Sequence, residues 1–401
     1  MPPASTGLPL EGCKVLDLSR VLAGPYCTSL LSLLGAEVIK VEELSGDEAR
    51  QWPPEASGVS TAFMGLNINK SSIAVDLKHP RGKEVLEKLA GWADILVENF
   101  RAGVLESLGL GAERLRQINP RLIHTSVTAF GSQGPRSQEP GYEALMQAFT
   151  GVMELTGHPE GEPARSGVSI LDMSTGITAA LASVSALLLR ERTGRGCHAE
   201  TSLLHTALGL MTPQVSAYLM AGAEPRRLGT AHPSIVPYQA FRAAGGSLFI
   251  AAGNQKLWER LCRALERDDL AADERFRDNP SRVSNRRECL EELSREISRW
   301  DVERLLAALK KAGVPAGRVN RLPETLDDPQ VEAAGVLEEL HDPLLGTLRV
   351  PGLPLRLDGK GGTIHSRPPF LGEHTRGVLG MIGFNSGEIE ELFHLGAVGG
   401  G

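Results

Sequence analysis

Short apolar runs that alternate with helical patterns over the first third of the chain constrain its fold most strongly. Five runs predict strands, at residues 14–18, 37–41, 72–76, 95–98 and 122–127. Helical patterns follow the first and third runs, at residues 23–34 and 80–93, and the second of these has proline near its first turn. Strands that alternate with helices are typical of a parallel sheet covered by helices. The sequence therefore predicts an α/β fold with a Rossmann-like sheet.

The motifs that usually place a nucleotide on such a sheet are absent from the sequence. No G-x-G-x-x-G follows a predicted strand, and no G-x-x-x-x-G-K-[ST] is present. The formal net charge of -7 also argues against nucleic acid or an anionic membrane as a partner, because both require a basic face. An anionic ligand would have to be held by a local group of cations.

A change of composition near residue 221 predicts a second domain. Several prolines and the Arg226-Arg227 pair precede a charged helical region at residues 257–312, and strand-like runs return at 340–357 before a helical pattern at 372–397. We predict a large domain formed by residues 1–220 and 331–401, with a smaller domain, 221–330, inserted between them. The apolar stretch 167–189 is predicted to be a buried helix, because Asp172 and several hydroxyl groups would be costly in lipid.

The cysteines and the N-terminal residues provide evidence on the cellular compartment of the protein. The five cysteines are scattered and form no C-x-x-C pair, which predicts reduced thiols with neither disulfides nor a zinc site. The first ten residues lack the features of a secretory signal and of a mitochondrial presequence. We therefore expect a cytoplasmic location, with the mitochondrial matrix as the alternative for a processed eukaryotic form.

Asp172 is the most informative residue for chemistry, since it lies where an apolar run turns into a helix of small residues. On spacing alone the favoured interpretation is structural: Asp is a good N-cap, and its oxygen would accept from the backbone N–H of Ser174 or Thr175. The functional interpretation is that the N–H groups at the helix start hold the carboxylate ionised and later stabilise an oxyanion. A carboxylate can also act as a covalent nucleophile.

Several motifs across nearly the whole chain make it similar to the class III CoA-transferases, the group that contains the formyl-CoA and carnitine CoA-transferases. They are Arg20-Val21-Leu22-Ala23-Gly24-Pro25, residues 34–42, Val97-Glu98-Asn99-Phe100, the Asp172 segment, Thr193-Gly194-Arg195-Gly196 and residues 368–375. Within this group, residues 229–241 most resemble the succinate:hydroxymethylglutarate CoA-transferases. This resemblance tips the interpretation of Asp172 towards catalysis.

The resemblance implies a set of site residues. The catalytic aspartate falls on Asp172, and Tyr142 is implied to be a pocket wall beside the thioester. The positions matched to the CoA pocket are Val21, Leu22, Ala23, Val75, Lys78, Asn99, Phe100, Arg101 and Val104. Glu43 and Ser107 stand where relatives have arginine, so we expect the phosphates to rely on Lys78 and Arg101, with Arg50 as a weaker candidate.

Three of the candidate residues, Tyr142, Arg165 and His232, have two interpretations each. Tyr142 stands where the related acyl-CoA racemases carry the histidine of a Gly-His-Asp motif; a phenol is a poor base at neutral pH, which disfavours racemisation. Its alternative role is a half-buried core tyrosine. Arg165 and His232 are candidates for binding a substrate carboxylate. Their alternatives are a surface arginine at a helix end and a structural histidine in a loop.

The activity implied is transfer of CoA between carboxylic acids through a β-aspartyl-CoA thioester. The substrates would be an acyl-CoA, with succinyl-CoA as the expected donor, and an acid such as 3-hydroxy-3-methylglutarate, glutarate, itaconate or malate. Neither ATP, a metal nor a permanently bound cofactor is implied, and the family implies an interlocked homodimer. The alternatives are an acyl-CoA racemase on the same fold and a CoA-binding protein without turnover.

Overall fold

The computed structural model describes residues 7–400. Its strands are β1 Lys14–Asp17, β2 Glu37–Glu42, β3 Glu55–Ala56, β4 Val59–Ser60, β5 Lys70–Val75, β6 Ile95–Glu98, β7 Ile123–Thr128, β8 His198–Ser202, β9 Tyr238–Ala243, β10 Gly246–Ala251, β11 Ala316–Arg318, β12 Leu337–Asp342, β13 Gly346–Pro351 and β14 Val398–Gly399. Its α-helices are α1 Ala23–Leu33, α2 Thr61–Leu66, α3 Pro80–Trp92, α4 Val104–Ser107, α5 Ala112–Ile118, α6 Glu143–Thr150, α7 Val152–Leu155, α8 Ile170–Thr193, α9 Leu203–Leu210, α10 Thr212–Ala221, α11 Gln255–Ala264, α12 Asp268–Ala272, α13 Asn279–Ser284, α14 Arg286–Ile297, α15 Val302–Ala312, α16 Leu322–Leu326, α17 Pro329–Ala334, α18 Thr375–Met381 and α19 Ser386–His394. Short 3₁₀ turns lie at Glu48–Gln51 and Glu274–Phe276.

A seven-stranded sheet in the order β14-β5-β2-β1-β6-β7-β8 forms the centre of the large unit. Strands β1, β2, β5, β6, β7 and β8 pair in parallel, and β14 joins β5 in the antiparallel direction. The predicted α/β fold with a Rossmann-like sheet is confirmed. The strand order reverses at β1, because β2 lies on one side of it and β6 on the other.

Alternating side chains of the strands fill two cores, one on each face of the sheet. On one face the strand residues pack with α3, and on the other they pack with α1 and α8. The first core contains Leu16, Ile39, Ile73, Leu96, Val85, Leu86 and Leu89. The second contains Val15, Val38, Ile95, Ile123, Cys27, Leu31 and Ala179.

All five predicted strands and both predicted helices of the first third are present, with ends displaced by at most two residues. Strand β8 was not predicted. Its sequence, His-Ala-Glu-Thr-Ser, has no apolar run, because β8 is an edge strand with a half-exposed surface.

Helix α8 corresponds to the apolar stretch that was predicted to be buried, and only one of its faces is. Asp172, Thr175, Gly176 and Ser183 lie among the buried residues, whereas Ile177, Leu181, Leu188 and Leu189 are exposed. Among residues 7–400, α8 is the one helix long and apolar enough to cross a membrane by length and composition. The prediction of a buried helix is therefore correct for the face of α8 that carries polar and small residues. It is wrong for the opposite, apolar face of α8, which is exposed in the single chain.

The chain divides into two compact units. The first contains the chain up to Val152, Arg165–Gly222 and the part from Glu332 onwards. The second contains Ala223–Val331 together with Met153–Ala164, a segment that the sequence had placed in the large domain.

The second unit has its own core. An antiparallel sheet, β11-β10-β9, packs with helices that bury Trp258, Leu261 and Phe276. Arg282 is also fully buried, with its guanidinium 4.9 Å from the Trp258 ring and bonded to the carbonyl oxygens of Val236 and Phe276. These bonds satisfy the Nε and Nη1 donors, which would be costly to bury without partners, whereas Nη2 has no hydrogen-bond partner within residues 7–400.

Candidate active site

A pocket lies in the first unit at the carboxyl ends of β1 and β6, where the strand order reverses. In open α/β sheets this point leaves a crevice in which ligands bind. The pocket is lined by residues after β1, after β6 and at the end of β7, by the start of α6 and α8, and by residues of the connecting loops. They are Arg20, Val21, Leu22, Ala23, Glu48, Asn99, Phe100, Arg101, Ala102, Val127, Thr128, Ala129, Ser137, Glu139, Pro140, Gly141, Tyr142, Glu143, Asp172 and Leu203.

Asp172 reaches this pocket from the first turn of α8. It is 9% exposed and is the third residue of the helix, after Ile170 and Leu171. The N-cap position belongs to Ser169, so the interpretation of Asp172 as the helix cap is wrong. Within residues 7–400, no group donates a hydrogen bond to the Asp172 carboxylate. Its oxygens are therefore available to a ligand in the pocket.

Close packing of α8 on α1 places Asp172 in the same pocket as Leu22 and Ala23. Gly176 permits the approach, because a Cβ atom there would lie 2.7 Å from the carbonyl oxygen of Ala23. Gly24 allows a second close contact, since its Cβ would lie 2.2 Å from Cβ of Ser19. Gly176 is therefore needed where the backbones of two helices meet, and Gly24 where the Ser19 side chain packs against the start of α1.

The pKa of Asp172 is raised to about 7: burial is the largest cause, the negative charge of Glu143 adds to it, and Arg165 opposes both effects. The carboxyl group is therefore divided between its acid and ionised forms near neutral pH. The expectation that the N–H groups at the helix start hold the carboxylate ionised does not account for this pKa, whose largest cause is burial.

Glu143 is a site residue that the sequence analysis missed. Its side chain is buried; Oε1 accepts from the Gln147 side chain and, at 3.4 Å, from the backbone N–H of Leu171. Oε2 lies 3.5 Å from Nε of Arg165. Glu143 thus joins α6 to the first turn of α8 next to Asp172. The signal was its place directly after Tyr142, where the racemase motif has its own acidic residue.

The wall after β1 is a turn fixed by Asn99. The Asn99 side chain accepts from the backbone N–H of Arg20 at 2.9 Å and donates to the Arg20 carbonyl oxygen at 2.7 Å. Asn99 therefore contributes to the pocket as a clamp on the turn, with its amide already engaged.

The structure brings eight of the predicted residues together around the pocket. They are Asp172, Val21, Leu22, Ala23, Asn99, Phe100, Arg101 and Tyr142. Tyr142 precedes α6 and is 65% exposed, which excludes its alternative role as a half-buried core tyrosine.

Five other predicted residues do not line the pocket. Val75 is buried in the core beside α3, and Lys78 is exposed in the loop after β5. Val104 starts α4, and Arg165 pairs with Glu143. His232 belongs to the second unit, where its Nδ1 accepts from the backbone N–H of Ser234 at 3.1 Å. Their assignment to substrate or CoA stays a prediction.

Arg50, the weaker candidate for a CoA phosphate, already has partners. Its guanidinium bonds to both carboxylate oxygens of Glu42 and to the carbonyl oxygen of Pro369, and it lies 3.8 Å from the centre of the Phe63 ring. These contacts assign it a structural role. By contrast, Arg20 and Arg101 line the pocket, and neither takes part in an ion pair within residues 7–400.

Comparison with known proteins gives a consistent result. Residues 10–375 match the model of CoA-transferase family III. The chain is 40% identical to succinyl-CoA:glutarate CoA-transferase of Mus musculus, over 97% of this chain and 90% of the relative. It is 38% identical to succinate–glutarate CoA-transferase of Agrobacterium fabrum, over 93% of this chain and 96% of the relative. A CaiB/BaiF family protein from Brucella suis superposes with a TM-score of 0.84 at 38% identity, covering 93% of this chain and 99% of that one.

Proposed function

The chain belongs to CoA-transferase family III, and from this premise we propose that it transfers CoA from succinyl-CoA to a dicarboxylic acid such as glutarate, with Asp172 as the nucleophile. The observation that carries the proposal is a buried carboxylate, free of hydrogen bonds within residues 7–400, in the pocket where the strand order reverses. The names of the relatives support succinyl-CoA as donor and glutarate as acceptor. Itaconate, malate and 3-hydroxy-3-methylglutarate are further acceptors to test.

In the proposed reaction the ionised Asp172 attacks the carbonyl carbon of the donor thioester. The C–S bond breaks, CoA leaves as a thiolate, and a mixed anhydride of Asp172 and the donor acyl group remains. The thiolate then attacks the aspartyl carbonyl carbon, which releases the donor acid and forms the β-aspartyl-CoA thioester. The acceptor carboxylate repeats these steps in reverse order and leaves as its CoA ester, while Asp172 is regenerated as a carboxylate.

The pocket lining carries more acidic than basic side chains, so the anionic groups of the substrates are proposed to bind locally, at Arg20 and Arg101. Arg20 and Arg101 are exposed cations on its wall, whereas Glu48, Glu139 and Glu143 are acidic. A substrate carboxylate or a CoA phosphate is expected to pair with the two arginines, since guanidinium groups bind both bidentately. The acidic side chains would repel a misplaced carboxylate.

We also propose that the protein is a homodimer. The exposed apolar side chains of α8, including Leu181 and Leu188, are accompanied by α10, none of whose residues is buried. An apolar surface of this kind is typical of a subunit interface. Light scattering should give twice the chain mass, and Leu181→Asp should reduce it; a wild-type mass of one chain would refute the dimer.

The nucleophile can be identified by trapping. The protein is incubated with succinyl-CoA, quenched with hydroxylamine, digested and examined by mass spectrometry for a hydroxamate at Asp172. Asp172→Asn should give neither the adduct nor transfer of radiolabelled glutarate into the CoA ester. Asp268→Asn is the matched control, because Asp268 also lies in the first turn of a helix but is exposed in the second unit.

Three results would contradict the proposal. An adduct at another residue would show that the nucleophile is misassigned. CoA binding without any transfer of label would indicate a binding protein. Solvent deuterium at the α-carbon of a 2-methylacyl-CoA, without acid exchange, would indicate a racemase.

A further inference from the structure

The turn between β1 and α1 contains an unfavourable backbone conformation. Val21 has a φ of 72°, and the other pocket-lining residues with a side chain have negative φ values. A β-branched residue rarely adopts this left-handed conformation, because its Cβ crowds the following carbonyl group. Such strain persists only where the surrounding structure enforces it.

In addition to Asn99, which bonds to Arg20, two buried side chains hold this turn, one at each end. Lys40 Nζ donates to the carbonyl oxygen of Ser19 at 2.7 Å. The Asp47 carboxylate accepts from the backbone N–H of Val21 at 3.2 and 3.3 Å. Lys40 Nζ and Asp47 Oδ2 lie 3.0 Å apart, with side-chain exposures of 0% and 1%. One ion pair therefore connects the residues on either side of Arg20.

The ion pair is itself fixed by its neighbours. Burial alone would lower the pKa of Lys40, but the negative charges of Asp17, Asp47 and Glu42 together raise it, so Lys40 remains a cation. Asp47 also accepts from the backbone N–H of Ala49 at 3.0 Å, and its own N–H donates to Glu42. Neither partner can move without losing a buried hydrogen bond, which is costly.

From this geometry we infer that Lys40 and Asp47 are positioning residues: their ion pair keeps Val21, in the Ser19–Val21 turn, in its left-handed conformation, and the turn in that form sets the affinity for CoA. The inference rests on the proposed function, since the turn forms a wall of the proposed CoA pocket. Stability alone does not account for the pair, because buried ion pairs are often no more stabilising than apolar residues of the same volume. The ion pair instead makes hydrogen bonds to Ser19 and Val21, the two ends of the strained turn.

The test uses free CoA as the probe and calorimetry as the assay, so that turnover is not needed. Asp47→Asn should raise the Kd for CoA about tenfold, because the turn relaxes from its left-handed form. The saturated transfer rate should stay within about twofold, since Asp172 is untouched. Adding Val21→Gly should recover at least about threefold of the lost affinity, because glycine adopts this φ without strain.

A matched control comes from another ion pair of the same unit. Arg190 and Asp94 lie 2.9 Å apart and are not among the pocket-lining residues. Asp94→Asn should lower the melting temperature while leaving the Kd for CoA unchanged. If Asp47→Asn does not fold, Asp47→Glu, which keeps the charge and displaces the carboxylate, should show the same loss of affinity and the same recovery by Val21→Gly.

Equal Kd values for the wild type and Asp47→Asn would overturn the inference. So would a loss of affinity that Val21→Gly does not recover, because the effect would then not act through the turn. A wild-type protein that does not bind CoA would overturn the proposed function, and the inference with it. Loss of transfer with CoA binding intact would affect the proposed function alone.

Discussion

Asp172→Asn should stabilise the folded chain above neutral pH, although it removes the proposed nucleophile. The pKa of Asp172 rises from an ordinary value of 3.8 to about 7 in the fold. At about 1.4 kcal/mol per pKa unit, this difference corresponds to at most about 4 kcal/mol of stability. The folded chain binds the proton more tightly than the unfolded chain, so the wild type loses stability as the pH rises from about 4 to about 7.

The asparagine variant does not titrate at this position, so its advantage should depend on pH. Melting temperatures measured between pH 4 and pH 8.5 should be nearly equal for the two proteins at the acid end. They should diverge through pH 7, with the variant higher by several degrees, about 2–4 °C for each kcal/mol. Asp268→Asn makes the same chemical change at an exposed site in the first turn of a helix of the second unit and is the control for the substitution itself.

A difference between Asp172→Asn and the wild type that is the same at pH 4 and pH 8.5 would refute the reasoning. It would mean that the carboxylate ionises in the fold as it does in water, and that its burial has no energetic consequence. A wild type that is the more stable protein at pH 8.5 would refute it more strongly, because a hidden partner would then stabilise the charge.

Three further variants test the surroundings of Asp172. Glu143→Gln removes a negative charge that raises the Asp172 pKa, so the acid limb of the pH profile of kcat/KM for succinyl-CoA should move to lower pH. Arg165→Met removes the opposing cation, so the acid limb should move to higher pH. We expect each displacement to be about one pH unit or less. Displacement of both limbs in the same direction would contradict the charge assignment. Gly176→Ala should destabilise the chain by about 1–3 kcal/mol and lower kcat, because the added methyl group meets the Ala23 carbonyl oxygen; an unchanged unfolding midpoint in urea would show that α1 and α8 are not closely packed.

The central sheet could be predicted from the sequence because β1, β2, β5 and β6 are buried on both faces. Burial on both faces favours short apolar runs, such as Val15-Leu16 in β1 and Ile95-Leu96-Val97 in β6, and these are visible without a structure. Strand β8 was not predicted, because an edge strand can be polar and then has no apolar run to reveal it. Helix α8 was recognised as a helix, but a sequence does not show which of its faces a single chain covers.

The candidate site was predictable where a residue lies within a motif and unpredictable where it depends on tertiary contacts. Asp172 and the residues after β1 and β6 follow from the motifs. The closeness of Asp172 and Glu143 does not follow from the motifs, because α6 and α8 come into contact only in the folded chain. Nor could the raised pKa of Asp172 be predicted, since burial was its largest cause. Asn99 lines the pocket as predicted, but the engagement of its amide with the Arg20 backbone is visible only in the hydrogen-bond geometry of the fold.

Strand β14 has a consequence for the order in which the protein can fold during synthesis. It pairs Val398 with Val75 of β5, so one edge of the central sheet is completed by residues translated after the whole of Ala223–Val331. Until the ribosome has passed Gly399, β5 presents unpaired backbone groups, which are prone to join strands of other nascent chains. Premature termination upstream of Val398 should therefore yield aggregates, even though the residues of the pocket have all been made.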